Sequence, residues 1–129
     1  MDKKDMKILV VEDDVMLNKI YQTKFGLMGY RVSAAYDGEE GLKKMGEEVP
    51  SVVLLDLMLP KKSGFEVLES AKHNLATARI PVIILSNLGQ ESDIKRGMEL
   101  GAVDFLVKSN IKLESVIHKV ENVLQKYNP

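Results

Sequence analysis

An α/β domain with a parallel sheet covered by helices on both faces is predicted by three features of the sequence. Short apolar runs alternate five times with segments whose apolar residues recur at helical spacing. The runs are continuous rather than alternating, Val52-Val53-Leu54-Leu55 being the clearest, as expected of strands buried on both faces. The length, 129 residues, suits one domain of ordinary size.

Composition excludes several functions. A net charge of −1, with 45% hydrophobic and 29% charged residues, creates no field that would attract nucleic acid or an anionic membrane. Direct nucleic-acid binding is therefore not expected. The chain has no cysteine, so disulfides, thiolate zinc sites and a cysteine nucleophile are ruled out, in agreement with a cytoplasmic location. The apolar run after Lys7 is too short for a signal sequence, and no segment reaches membrane-spanning length.

Lys7 to Val11 reads as the first strand and runs into Glu12, Asp13 and Asp14. Leu17, Ile20, Tyr21, Phe25 and Met28 then recur at helical spacing, with Asn18, Lys19, Gln22 and Lys24 between them, until Gly29 supplies a stop. Tyr30 to Tyr36 is a weaker second strand, closed by the Asp37-Gly38 turn. Leu42, Met45 and Val49 mark a short helix that ends near Pro50. Val52 to Asp56 is the third strand, and Pro60 forces a turn close behind it because proline donates no ladder hydrogen bond. A helix with Phe65, Leu68, Ala71 and Leu75 on one face follows. Ile80 to Ser86 is the fourth strand, with Pro81 near its start. The next helix, Ser92 to Leu100, is weakly amphipathic, with Ile94, Gly97 and Met98 inward and Arg96 among the outward residues. Val103 to Lys108 is the fifth strand, and Leu113, Val116, Ile117, Val120, Val123, Leu124 and Tyr127 form the clearest helical stripe. The seven methionines are expected mainly as core filler, and His73 and His118 as solvent-facing.

Glu12, Asp13 and Asp14 follow the first strand, Asp56 the third, Ser86 the fourth and Lys108 the fifth, so all fall on the edge of the sheet where ligands bind in such folds. Carboxylates brought together there repel one another unless a cation joins them. An all-oxygen donor set suits a hard divalent ion such as Mg2+. Asp56 is then the available nucleophile for a phosphoryl group, with Lys108 neutralising its oxygens and Ser86 donating a hydrogen bond. Each piece has a plainer alternative: Asp13 or Asp14 as a helix cap, Ser86 as a turn residue, Lys108 as a solvated charge.

Val10-Val11-Glu12-Asp13-Asp14, Leu54 to Pro60, Ser86 and Gly101 to Lys108 resemble the receiver domain of two-component response regulators over the whole chain. The resemblance implies a flavodoxin-like, doubly wound fold of five strands in the order 2-1-3-4-5. It also implies that residues 1–129 form one receiver domain, with no effector domain in the chain. Asp56 would accept a phosphoryl group from a sensor histidine kinase or a histidine phosphotransfer protein. Asp13, Asp56 and the backbone carbonyl of Met58 would bind Mg2+, or Mn2+ in its place, with Glu12 acting through a water. Lys108 and Ser86 would contact the phosphoryl group, and Phe105 would turn inward. That movement would alter a face formed by the fourth helix, fifth strand and fifth helix for a downstream protein, the chain being a monomer or a phosphorylation-dependent homodimer. The chemistry would be confined to the chain's own Asp56, so it would not be a classical enzyme.

Two positions depart from the family pattern: Asn87 stands where a small residue follows the switch hydroxyl, and Ser109 where a proline, usually cis, follows the lysine. Without proline a cis bond costs about 2.5–4 kcal/mol, which leaves the isomer of the Lys108–Ser109 bond open. Asn87 would narrow access to Asp56, and Met58 and Leu88 would flank the approach of water and slow loss of the phosphoryl group. Two other functions compete. A Mg2+ phosphohydrolase with an aspartate nucleophile usually carries a second acid two positions on, where this chain has Met58. A chemically silent interaction domain would have the fold without the chemistry, and the complete set of acids argues against it. Nucleotide binding is disfavoured because the first strand-to-helix turn is acidic where phosphate needs glycines.

Overall fold

The computed structural model describes residues 1–129. Ten main elements alternate: β1 (Lys7–Val11), α1 (Val15–Leu27), β2 (Arg31–Ala35), α2 (Gly38–Glu48), β3 (Val52–Leu55), α3 (Gly64–Lys72), β4 (Val82–Ser86), α4 (Glu91–Glu99), β5 (Asp104–Val107) and α5 (Leu113–Tyr127). The strands form one parallel sheet in the order β2-β1-β3-β4-β5. This is the doubly wound, flavodoxin-like arrangement expected. No helix is long and apolar enough to cross a membrane.

Successive strand residues point to opposite faces, and the continuous apolar runs therefore feed two cores. Leu9, Val11, Val53, Leu55, Val82 and Ile84 pack on one side with Met45 of α2 and Phe65, Leu68 and Ala71 of α3. Ile8, Val10, Val52, Leu54, Ile83 and Leu85 pack on the other with Tyr21 and Phe25 of α1 and Val116, Val120 and Leu124 of α5. Both faces of the three central strands are thus sealed, and only the strand tips are left to carry polar chemistry.

Helix starts follow local chemistry. Asp14 Oδ1 accepts from Leu17 N–H at 3.1 Å and Asp37 Oδ1 from Glu40 N–H at 2.8 Å. Ser63 and Glu66 form a reciprocal capping box at α3. α4 has no side-chain cap, and Gly97 is its only buried residue.

Several boundaries and orientations differ from the sequence reading. β2, β4 and β5 are shorter than predicted: Ile80 and Pro81 precede β4, and Lys108 opens a 3-10 turn after β5. β3 stops at Leu55, which puts Asp56 immediately beyond it. Val49 is exposed rather than on the α2 stripe, because before Pro50 it leaves the helix with a left-handed φ of 44°. Tyr127 is likewise exposed, in the last turn of α5. Met98 faces solvent, since α4 turns Gly97 towards Ile84 and the Phe105 ring. Arg96 is exposed, as read from the sequence, with its guanidinium 4.2 Å from the centroid of the Phe65 ring. Met6 and Met45 are core filler, but Met1, Met16, Met58 and Met98 are exposed. Both histidines are exposed as expected.

Leu75 departs furthest, at 98% exposed. Buried Thr77 donates its hydroxyl to Ala71 O at 2.7 Å, closing the chain after Lys72 into a loop whose tip carries Leu75 outward. Leu75→Gln should accordingly change the unfolding free energy by less than about 0.5 kcal/mol. Leu68→Ala, on the buried face of the same helix, should cost about 3 kcal/mol in the same urea titration.

Candidate functional site

β1 and β3 are neighbours in the centre of the sheet, and their tips place Glu12 and Asp56 side by side. Asp56 N–H donates to Val11 O at 3.0 Å, which carries the β1–β3 pairing one step past the strand. Behind Asp56 the chain turns through Pro60, with Lys61 at a left-handed φ of 69°, and enters α3 at Gly64. Gly64 N–H donates to Leu57 O at 3.0 Å, so the start of α3 rests on the backbone of Asp56–Leu57. The Asp56 carboxylate is buried, and its Oδ1 accepts from Met58 N–H at 3.2 Å.

Carboxylate oxygens of Glu12, Asp13 and Asp56 all lie within 4.8 Å of one another, Glu12 and Asp56 buried and Asp13 exposed. Lys108, delivered by β5, reaches over this cluster. Its Nζ donates to Asp56 Oδ2 at 2.9 Å and also to Glu12 Oε1. The other Glu12 oxygen accepts from Asp14 N–H at 3.1 Å. Burial dominates at Glu12 and, with the nearby charge of Asp56, pushes its pKa up to about 6 against the hydrogen bonds from Lys108 and Asp14. At Lys108 burial alone would favour the neutral amine, but the hydrogen bonds to Glu12 and Asp56 outweigh it and hold the ammonium above its usual range. The lysine is therefore the cation that joins the two buried acids.

Ser86, fully buried at the tip of β4, accepts from Leu88 N–H at 3.3 Å, which leaves its own hydroxyl proton to donate. Asn87 and the Met58 side chain are exposed, while Leu88 is half-buried against the core. Phe105 is half-buried in β5 and packs beside Gly97, where an added Cβ would sit 3.1 Å from the ring and 2.6 Å from Ile84 Cδ1. The bond between Lys108 and Ser109 is trans, as are all others. Glu12, Asp13, Asp56 and Lys108 thus meet at one point, with Ser86 on the adjoining strand tip and Phe105 away on the α4 side.

Sequence reasoning missed Asn18, which it placed among the polar residues of α1. The side chain is fully buried, and its Nδ2 donates to Glu12 O, Val10 O and Ala35 O at 3.0, 3.2 and 3.2 Å. The signal was its spacing, since Asn18, Tyr21 and Phe25 share one helical face.

Comparison with known proteins gives a consistent result. The family profile of the response regulator receiver domain matches residues 8–121. A probable transcriptional regulator ycf27 of Guillardia theta is 40% identical over 116 residues, covering 88% of this chain and 44% of that protein. The chain spans about half the length of the curated relatives it matches. Among solved structures, the receiver domain of Francisella response regulator 1452 superposes with a TM-score of 0.86 at 28% identity, covering 95% of this chain and 98% of that one. A CheX-CheY-BeF3-Mg+2 complex from Borrelia burgdorferi contains a chain with a TM-score of 0.83 and 29% identity, covering 92% of this chain and 88% of that one.

Proposed function

The chain belongs to the response regulator receiver domain family, and from that premise we propose that Asp56 accepts a phosphoryl group from a phosphohistidine on a sensor histidine kinase or phosphotransfer protein. Response regulators are signalling proteins rather than classical enzymes, and here the only substrate would be the chain's own aspartate. The observation that carries this reading is the Asp56 carboxylate, held at a sealed strand tip beside two further acids and 2.9 Å from the Lys108 ammonium.

A carboxylate oxygen of Asp56 attacks phosphorus, the donor's N–P bond breaks, and the imidazole leaves as the new O–P bond of an acyl phosphate forms. The Lys108 ammonium transfers its hydrogen bond from the carboxylate to the phosphoryl oxygens, and the Ser86 hydroxyl donates a second. Phe105 then responds, changing the face made by α4, β5 and α5, which binds a downstream protein. Glu12, Asp13 and Asp56 fit a hard divalent cation because all three offer oxygen and one side of the cluster is open to solvent. Asp13, Asp56 and the Met58 carbonyl would hold Mg2+, or Mn2+, directly and Glu12 through a water, and the ion when bound would neutralise charge on the phosphoryl group. The similar Borrelia protein was crystallised with BeF3 and Mg2+. Residues 1–129 would act as one receiver unit, cytoplasmic, making no direct contact with nucleic acid, as a monomer or a phosphorylation-dependent homodimer. Met58, Asn87 and Leu88 would set how fast water removes the phosphoryl group.

Incubation with acetyl phosphate and Mg2+ tests the proposal by intact mass. The native chain should gain one phosphoryl group only when the metal is present, and Asp56→Asn should gain none. No gain in either, with Mg2+ binding demonstrated, would favour the chemically silent interaction domain.

The raised pKa of Glu12 gives Mg2+ binding a definite pH dependence. A carboxyl whose pKa is higher folded than unfolded binds its proton more tightly in the fold. The metal-free protein therefore loses stability as pH rises from the ordinary value near 4.5 through about 6. The same proton competes with the cation, so Mg2+ affinity should fall about tenfold from about pH 7 to about pH 5 by calorimetry. A flat profile would show that Glu12 does not take part.

A further inference from the structure

We propose that Asn18 is the positioning residue of the acidic loop, its carboxamide fixing the backbone that carries Glu12 and Asp13 beside Asp56. A fully buried amide on the apolar face of a helix is costly unless every polar atom is paired. Here it is: Nδ2 shares its two hydrogens among the carbonyls of Val10, Glu12 and Ala35, and Oδ1 accepts from Gln22 Nε2 at 2.9 Å. Gln22 thereby orients the amide so that its NH2 group, not its oxygen, faces the strand ends.

The three carbonyls belong to the tips of two neighbouring strands and to the first residue of the loop. Ala35 O also accepts from Glu12 N–H at 3.0 Å. Glu12 is thus tied at its N–H by β2 and at its carbonyl by Asn18, and one carboxylate oxygen holds Asp14 N–H. Asn18 N–H in turn donates to Asp14 O at 2.9 Å, closing the loop between strand and helix. Asp13 has no hydrogen bond of its own within the chain and is exposed, so the aim of its carboxylate is inherited from the clamped residues on either side. An apolar residue in place of Asn18 would fill the space but leave the Glu12 carbonyl without its partner.

The loop geometry stands by itself. Its consequence for a cation rests on the function proposed above, and the test separates the two. Three variants are compared with the native chain at a temperature where all are folded: Asn18→Ala; Gln22→Met, which removes the orienting donor but retains Asn18; and Val120→Ala, a core truncation remote from the site. Hydrogen exchange at the Asp14 amide and Mg2+ affinity by calorimetry are read for each. Asn18→Ala should speed Asp14 exchange and weaken Mg2+ binding by about tenfold each. Gln22→Met should move both in the same direction by less, and Val120→Ala should lower the unfolding midpoint while leaving both unchanged. Native exchange and affinity in Asn18→Ala, or equal effects from Val120→Ala, would overturn the proposal. If Asn18→Ala fails to fold, Gln22→Met decides, and native values in it would overturn the proposal. A native chain that binds no Mg2+ would remove the function proposed above, and the exchange result alone would then support or overturn the role of Asn18.

Discussion

Lys108→Met is expected to lower the unfolding free energy of the metal-free protein by about 3 kcal/mol, and to tighten Mg2+ binding in the same variant. The ammonium bridges two buried carboxylates, Glu12 and Asp56. Without it both remain buried with no cation to offset their mutual repulsion. Protonation relieves part of this, so the loss should be larger near about pH 8 than near about pH 6. The tighter metal binding follows from the same contacts. A cation can gain those carboxylate oxygens only by displacing the lysine, and methionine offers no such competition. Urea titrations with and without MgCl2 measure both effects. Native stability together with weaker Mg2+ binding would mean that Lys108 does not bridge the acids in solution.

Gly64→Ala is expected to damage both the fold and the site. A Cβ at this position would sit 2.2 Å from Asp56 O and 2.6 Å from Leu57 Cα, far inside contact distance and against backbone that no rotamer change can move. Either α3 or the Asp56 segment must shift, at a cost of about 3 kcal/mol. Displacement of the acceptor by about 1 Å would slow phosphoryl uptake by about 100-fold. Gly26→Ala in α1 is the matched control, since nothing lies within 4 Å of its Cβ. It should be neutral or stabilising by up to about 1 kcal/mol. Equal uptake rates in the two variants would separate the acceptor's position from the start of α3.

Much of this architecture was legible because buried parallel strands leave a strong trace. Val52 to Leu55 can be continuous only if both faces are covered, and the two cores cover them. The acids were legible for a related reason: Glu12 and Asp56 end apolar runs abruptly, and a parallel sheet sends all such ends to one edge. What escaped the sequence depends on how elements meet. Leu75 continues the stripe of α3 by spacing, but the helix has already ended at Lys72 and the Thr77 hydroxyl bond to Ala71 closes the loop after it. Met98 and Gly97 are equally plausible inward residues of α4 until the Phe105 ring fills the space over the glycine. Asn18 looked like a solvent-facing residue because polarity argued against burial, whereas the carbonyls of Val10, Glu12 and Ala35 converge on its amide and make its burial favourable. Lys108 was placed at the correct tip, but its pairing with both Glu12 and Asp56 depends on distances that a one-dimensional pattern does not contain.

The central claim is that Asp56 itself carries the phosphoryl group. Borohydride reduction after acetyl phosphate treatment tests it most directly, because hydride reduces an acyl phosphate to an alcohol at the residue that held it. Peptide mass spectrometry should find the reduced side chain at position 56, dependent on both the phosphodonor and Mg2+. Reduction at Asp13, at another carboxylate, or at none in a chain that has gained phosphoryl mass would contradict the account.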